Sequence, residues 1–301
     1  MITLSTERGL VKVKDWDDIL SLPGFIENLD PKDQKLDSII GQYIFADKIR
    51  CGLSNCHTPH AKGYVASTES GQITNIGKDC GKRYFGIDFE NLSKKFDSDV
   101  KAQNNRELLS TFKNQLEKVT EDIKSLRNAP KGADWVNRKA KQLTSFGGEV
   151  PTEAVRKLIE MAKIKSGSLS INREATAEEI EDLEAISGKE IKIRPHYISE
   201  KIANIIGIEA LYPENDLRQI LIIDLESGIK QIDKLDIYTA THTQLAHHAK
   251  WVNQYEEKIE SARRSVQYGK ALLAKENLAP LKHIIKKPAD INSLENYSKS
   301  L

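Results

Sequence analysis

The sequence is short of thiols, aromatic rings and long apolar runs. Of its 301 residues three are cysteines, and aromatic residues make up 6%. An odd count of three argues against a disulfide framework. No apolar stretch approaches the roughly eighteen residues that read as a membrane span, and the first residues lack the apolar core of a signal peptide. The formal net charge is only +1, which removes any global electrostatic bias toward nucleic acid or anionic lipid. Charged residues reach 30% against 39% hydrophobic ones. That balance suits long helices with solvated faces better than one large core.

What thiols there are lie close together. Cys51, Cys56 and Cys80 fall within a thirty-residue stretch that also carries His57 and His60. A cluster of this kind persists as free thiols in a reducing compartment, so a cytoplasmic location is the expectation. Three sulfurs and one imidazole supply the four ligands of a tetrahedral zinc site. Cys51, Cys56, His60 and Cys80 are the expected set. His57 is the alternate imidazole, disfavoured because it directly follows Cys56 while His60 has the reach of a turn around Pro59. Between the second and last cysteines, GYVAST and ITNIG read as two strands joined by a glycine-containing turn. CGKRYFG then starts a helix, placing Cys80 near an N-terminus where the dipole favours a thiolate.

Knuckle, hairpin and a ligand at a helix start resemble the treble-clef group of zinc modules. The resemblance covers only residues 51–89 and departs from the group's pattern, since the helix brings one ligand instead of two. It implies a closed structural Zn2+ site, with no open position for water and no carboxylate placed as a general base.

The frame reads as mainly α: a small α+β zinc-binding domain over residues 1–87, a helical domain over 88–215, an antiparallel coiled-coil hairpin over 216–287 and a flexible tail over 288–301. Leu109, Phe112, Leu116, Val119, Ile123 and Leu126 step by three and four, which predicts a helix starting near residues 88–91 and stopping before Pro130. Thr176 and Glu179 are spaced as a capping box. KEIKIRPHYI reads as strand or linker, and SEKIANIIGI as a helix. Leu245, Val252, Ile259, Val266 and Leu273 recur every seven residues, the signature taken for the coiled coil.

Lys78, Lys82, Arg83 and Tyr84 surround Cys80, and basic residues beside an aromatic ring suit contacts to phosphates and bases. They form the candidate nucleic-acid edge. His242, His247 and His248 do not share a helical face and are not read as a second metal site. GSLSINR and SFGGEV lack the strand-glycine-lysine context of a phosphate loop. The expectation is therefore a non-catalytic zinc-binding interaction or assembly protein, with a protein partner or self-association through the coiled coil and no membrane. A nucleic-acid-binding zinc protein is the alternative, and a zinc-dependent hydrolase comes third.

Overall fold

In the computed structural model, which describes residues 2–7 and 9–301, the N-terminal alternation builds a sheet. Strands β1 (Ile2–Thr6) and β2 (Gly9–Val13) precede a single turn of helix, α1 (Asp17–Leu20), and a long strand, β3 (Leu36–Arg50). β4 (Pro59–Thr68) and β5 (Ile73–Gly77) complete a five-stranded antiparallel sheet ordered β2-β1-β3-β4-β5. The β4–β5 hairpin lies where the alternation placed it, paired from Gly63↔Gly77 to Ser67↔Ile73.

Side chains of a strand alternate between faces, and each face of this sheet has its own core. Ile2, Leu4, Tyr43 and Val65 point one way, against Ile19 of α1 and the half-buried Trp16, Phe25 and Phe45. Ile39, Tyr64, Ala66 and Ile76 point the other way, against Phe89, Phe96 and Val100 of α2 (Lys78–Lys113). Helix α2 is interrupted at Gly86, whose φ of 58° and ψ of −135° are not helical. The helix resumes near the start that the apolar spacing indicated. The Tyr64 and Phe89 rings meet edge to face at 5.6 Å, and the Tyr64 hydroxyl donates to Asp97 at 2.8 Å. This unit runs to Phe112 and takes in Leu235–Val252, where Trp251 packs edge-on against Phe112 at 5.9 Å.

The second unit, Lys113–Lys234 with Asn253–Leu301, is built mostly of short helices. These are α3 (Leu116–Asn128), α4 (Ala133–Leu143), α5 (Thr152–Lys163) and α6 (Ala177–Ser187). α6 starts with the expected Thr176–Glu179 capping box. β6 (Ser168–Glu174) pairs with β7 (Tyr197–Asn204) around it. β7 corrects the helix read at SEKIANIIGI. Ile198, Glu200 and Ile202 alternate with Ser199 and Lys201, and pairing with β6 makes the stretch extended as far as Asn204, before a 3-10 turn begins at Ile208.

Helix accounts for 55% of the chain and strand for 19%, so the mainly helical character stands. The expected fold class does not, because the N-terminal part is a five-stranded sheet and the described residues contain no coiled-coil hairpin. Residues 216–287 instead form a π-helical stretch, Gln219–Glu226, then α7 (Ser227–Lys234), α8 (His242–Asn253), α9 (Tyr255–Leu272), α10 (Lys275–Leu278) and a 3-10 stretch, Ala279–Ile284. Of the heptad residues, Leu245, Ile259, Val266 and Leu273 are buried and Val252 is half-buried, but against several short elements instead of one long partner. α9 packs on the 3-10 turn Ile208–Leu211, the π-helical stretch and α4. Gly269 of α9 is glycine for a local reason: a Cβ there would stand 2.0 Å from Val136 Cγ1 of α4. π-turns bond i to i+5, which moves the phase and leaves Ile222 exposed although Leu225 is buried. The region expected as a flexible tail carries α11 (Pro288–Lys299), with Leu294 and Tyr297 buried.

Phe89 is 0% exposed at the sheet–helix seam. Truncation to alanine should destabilise the sheet unit by about 3–5 kcal/mol, read as a lowered midpoint in urea unfolding followed by circular dichroism.

Candidate metal centre

The site sits where the β3–β4 turn meets the start of α2. β3 ends at Arg50, and the chain reverses through residues 51–58 before β4. Backbone bonds clasp this turn: Cys51 N–H donates to Thr58 O at 3.2 Å, Cys56 N–H to Leu53 O at 3.1 Å, and Gly52 N–H to Asn75 O of β5 at 2.8 Å. His57 adopts a left-handed φ of 51°, a conformation costly for a residue with a Cβ. Cys80 arrives separately, as the third residue of α2.

These three segments bring their sulfurs together. The Sγ atoms of Cys51, Cys56 and Cys80 lie within 4.8 Å of one another, with Cys56 and Cys80 at 3.1 Å. All three are free thiols; Cys51 and Cys80 are buried and Cys56 is half-buried. Three soft donors facing a common point could hold a metal ion. No carboxylate or imidazole joins this group among the described residues.

Burial raises the Cys51 thiol, although the Leu53 and Gly77 amides point at its sulfur and oppose the rise. Burial and the neighbouring Cys56 and Cys51 thiols push Cys80 up to about 12. Cys56 goes the other way: burial opposes its ionisation, but the Thr58 hydroxyl and amide and the adjacent thiols bring it down to about 7. A divalent cation reverses such resistance, because a coordinating thiol gives up its proton to the metal.

His60 stands one step outside the sulfurs. Its Nε2 is 2.5 Å from the Tyr43 hydroxyl, and its Nδ1 is 3.0 Å from Thr58 O. Asn75 Nδ2 donates to that hydroxyl at 3.2 Å and to Arg50 O at 2.8 Å. Tyr43 therefore directs its own proton to Nε2, which leaves Nδ1–H to donate to Thr58 O. Gly63 makes room for the pair, since a Cβ there would lie 2.4 Å from the Tyr43 hydroxyl and 2.7 Å from His60 Nε2. His57 adjoins the cluster through its Nδ1, 3.4 Å from Cys51 O. The expected set Cys51, Cys56, His60 and Cys80 is thus brought together in its three sulfurs, with both imidazoles outside. Sequence reasoning missed Thr58, Tyr43 and Asn75. Thr58 lies in the cysteine turn itself, two residues from Cys56, while Tyr43 and Asn75 carry no local signal because only the registers Tyr43↔Gly63 and Val65↔Asn75 bring them to the site.

The basic edge around Cys80 is partly engaged. Lys82 pairs with Glu90 at 2.7 Å, and Tyr84 donates to Asn55 O at 3.3 Å, tying α2 to the cysteine turn. Lys78 and Arg83 are exposed. His242 bonds Ser98, and His247 and His248 stack edge to face at 5.1 Å. No helix of the described residues is long and apolar enough to cross a membrane. Comparison with protein-family models, curated proteins and solved structures finds no match.

The thiols should react in a set order once any metal is chelated. Cys56, half-exposed and ionising near 7, should take up iodoacetamide more than about tenfold faster at pH 8 than Cys51 or Cys80. Its rate should fall away below pH 7, as peptide mapping of timed samples would record.

Proposed function

We propose that this chain is a non-catalytic binding protein in which Cys51, Cys56 and Cys80 hold one structural zinc ion. The convergence of three sulfurs within 4.8 Å carries this reading. Thiolates select zinc over the hard cations that prefer oxygen. An ion held there would fasten the end of β3 to the start of α2, two points twenty-nine residues apart in sequence that share one core. The order of cysteine turn, β4–β5 hairpin and helix-borne ligand supports the resemblance to treble-clef modules.

The fourth donor we assign is His57. Both His60 nitrogens are engaged by Tyr43 and Thr58, so His60 acts as a brace for Thr58, which faces Cys56. A hydrolytic zinc would need a general base beside it, and no acid joins the sulfurs among the described residues. We propose no self-association through a coiled coil, since the described residues contain no such hairpin.

Elemental analysis of protein purified without added metal should give about one zinc per chain. Cys80→Ser should lose it, His57→Ala should retain it only weakly, and His60→Ala should keep it. Substitution with cobalt(II) would separate the alternatives, because loss of an imidazole changes the ligand-field spectrum. A normal spectrum in His57→Ala would remove that residue from the set, and zinc-free wild-type protein would remove the metal.

A further inference from the structure

A second surface, in the helical unit and independent of the metal reading, has the chemistry of a polyanion site. Two depressions of about 280 and 480 Å3 adjoin on the face formed by α4, α9, α10 and α11, sharing Lys275, Ser298 and Lys299 in their walls. Lys131, Lys270 and Lys282 complete the basic lining, and Trp135 supplies an aromatic ring. Against these five lysines the lining offers two acidic side chains, Glu276 and Glu295.

All five lysines are exposed. None forms an ion pair with a carboxylate among the described residues, whereas Lys82 beside the metal centre pairs with Glu90. This leaves a local excess of positive charge on a chain whose net charge is only +1. A solvated lysine face would need no ring within it. Here the backbone of Lys131 takes a left-handed φ of 51°, and its ammonium lies 5.2 Å from the centroid of the half-buried Trp135 ring. The opposite wall is fixed. Tyr297 of α11 donates to Lys139 O at 2.8 Å, while Lys139 Nζ reaches Ser300 Oγ at 2.9 Å and lies over the Tyr297 ring. Lys299 is therefore presented from an anchored helix.

We propose that this groove binds single-stranded nucleic acid, with backbone phosphates on Lys270, Lys275, Lys282 and Lys299 and a base against Trp135. Lysines that follow a groove and an aromatic ring that accepts any base are the two elements of sequence-tolerant single-strand recognition. A duplex keeps its bases stacked inward and could use only the lysines. The basic edge read from the sequence near Cys80 belongs to the first unit and serves as the control.

The test is fluorescence anisotropy with a labelled oligothymidylate of about twenty nucleotides, with a duplex of that length and heparin as competitors. Wild-type protein should bind the single strand at least about tenfold more tightly than the duplex. Four phosphate contacts should weaken binding roughly 50-fold between about 50 and about 200 mM salt. The double variant Lys275→Glu/Lys299→Glu, both on the surface, should lose binding more than about tenfold with unchanged circular dichroism. Trp135→Phe should weaken the single strand while leaving the salt slope in place. Lys78→Glu/Arg83→Glu should bind as wild type, which separates this surface from the basic edge near Cys80. Undiminished binding by the Lys275/Lys299 variant, equal preference for duplex or heparin, or loss in the Lys78/Arg83 variant would each overturn the proposal.

Discussion

Three sulfurs meeting at the join between a sheet and a helix set the terms for the first unit of this protein. Cys51 closes the long central strand and Cys80 opens the helix that covers one sheet face, so each belongs to the apolar core as much as to the site. Cys56 reaches them from a turn clasped by its own backbone. Without a cation, two of these thiols resist ionisation, because burial penalises a charge and the third sulfur stands beside them. With a divalent ion the same packing becomes favourable. The ion would then join segments that the chain itself connects only through a hairpin, and metal binding becomes part of folding.

The surroundings of the sulfurs fit that role. Amides of Leu53 and Gly77 face Cys51, and Thr58 faces Cys56 through both its amide and its hydroxyl. Behind Thr58 runs a chain from His60 to Tyr43 to Asn75, crossing three strands. Groups one bond removed from the ligands hold those ligands in orientation. Tyr43 is wholly buried, so its hydroxyl needs partners, and Asn75 and His60 supply them. The sheet thus gives the site a rigid back wall, and the helix gives it a floor.

Much of the centre was legible because its signal is local. Cysteine spacing, the β4–β5 hairpin and the helix after Cys80 each announce themselves within a few residues. His60 was harder, since reach alone favours it over His57, and its partner Tyr43 lies seventeen residues away on another strand. The helical unit shows a different limit. Leu245, Ile259, Val266 and Leu273 mark a buried stripe correctly, yet a stripe does not say what covers it. Gly269 against Val136 and the π-helical phase change at residues 219–226 arise from tertiary packing. The lysine groove joins α4 to the consecutive α9, α10 and α11, and its lysines are spread from Lys131 to Lys299, so no run of basic residues betrays it.

Amide hydrogen exchange followed by mass spectrometry, on the whole chain purified without added metal and compared with and without a chelator, tests the metal clasp most directly. Chelation should accelerate exchange across residues 51–86, through the cysteine turn, the hairpin and the start of α2, while α3, α4 and α9 keep their protection. Unchanged exchange across residues 51–86 when bound zinc is removed, or protein that holds no zinc before chelation, would contradict the account and leave the three thiols as packing alone.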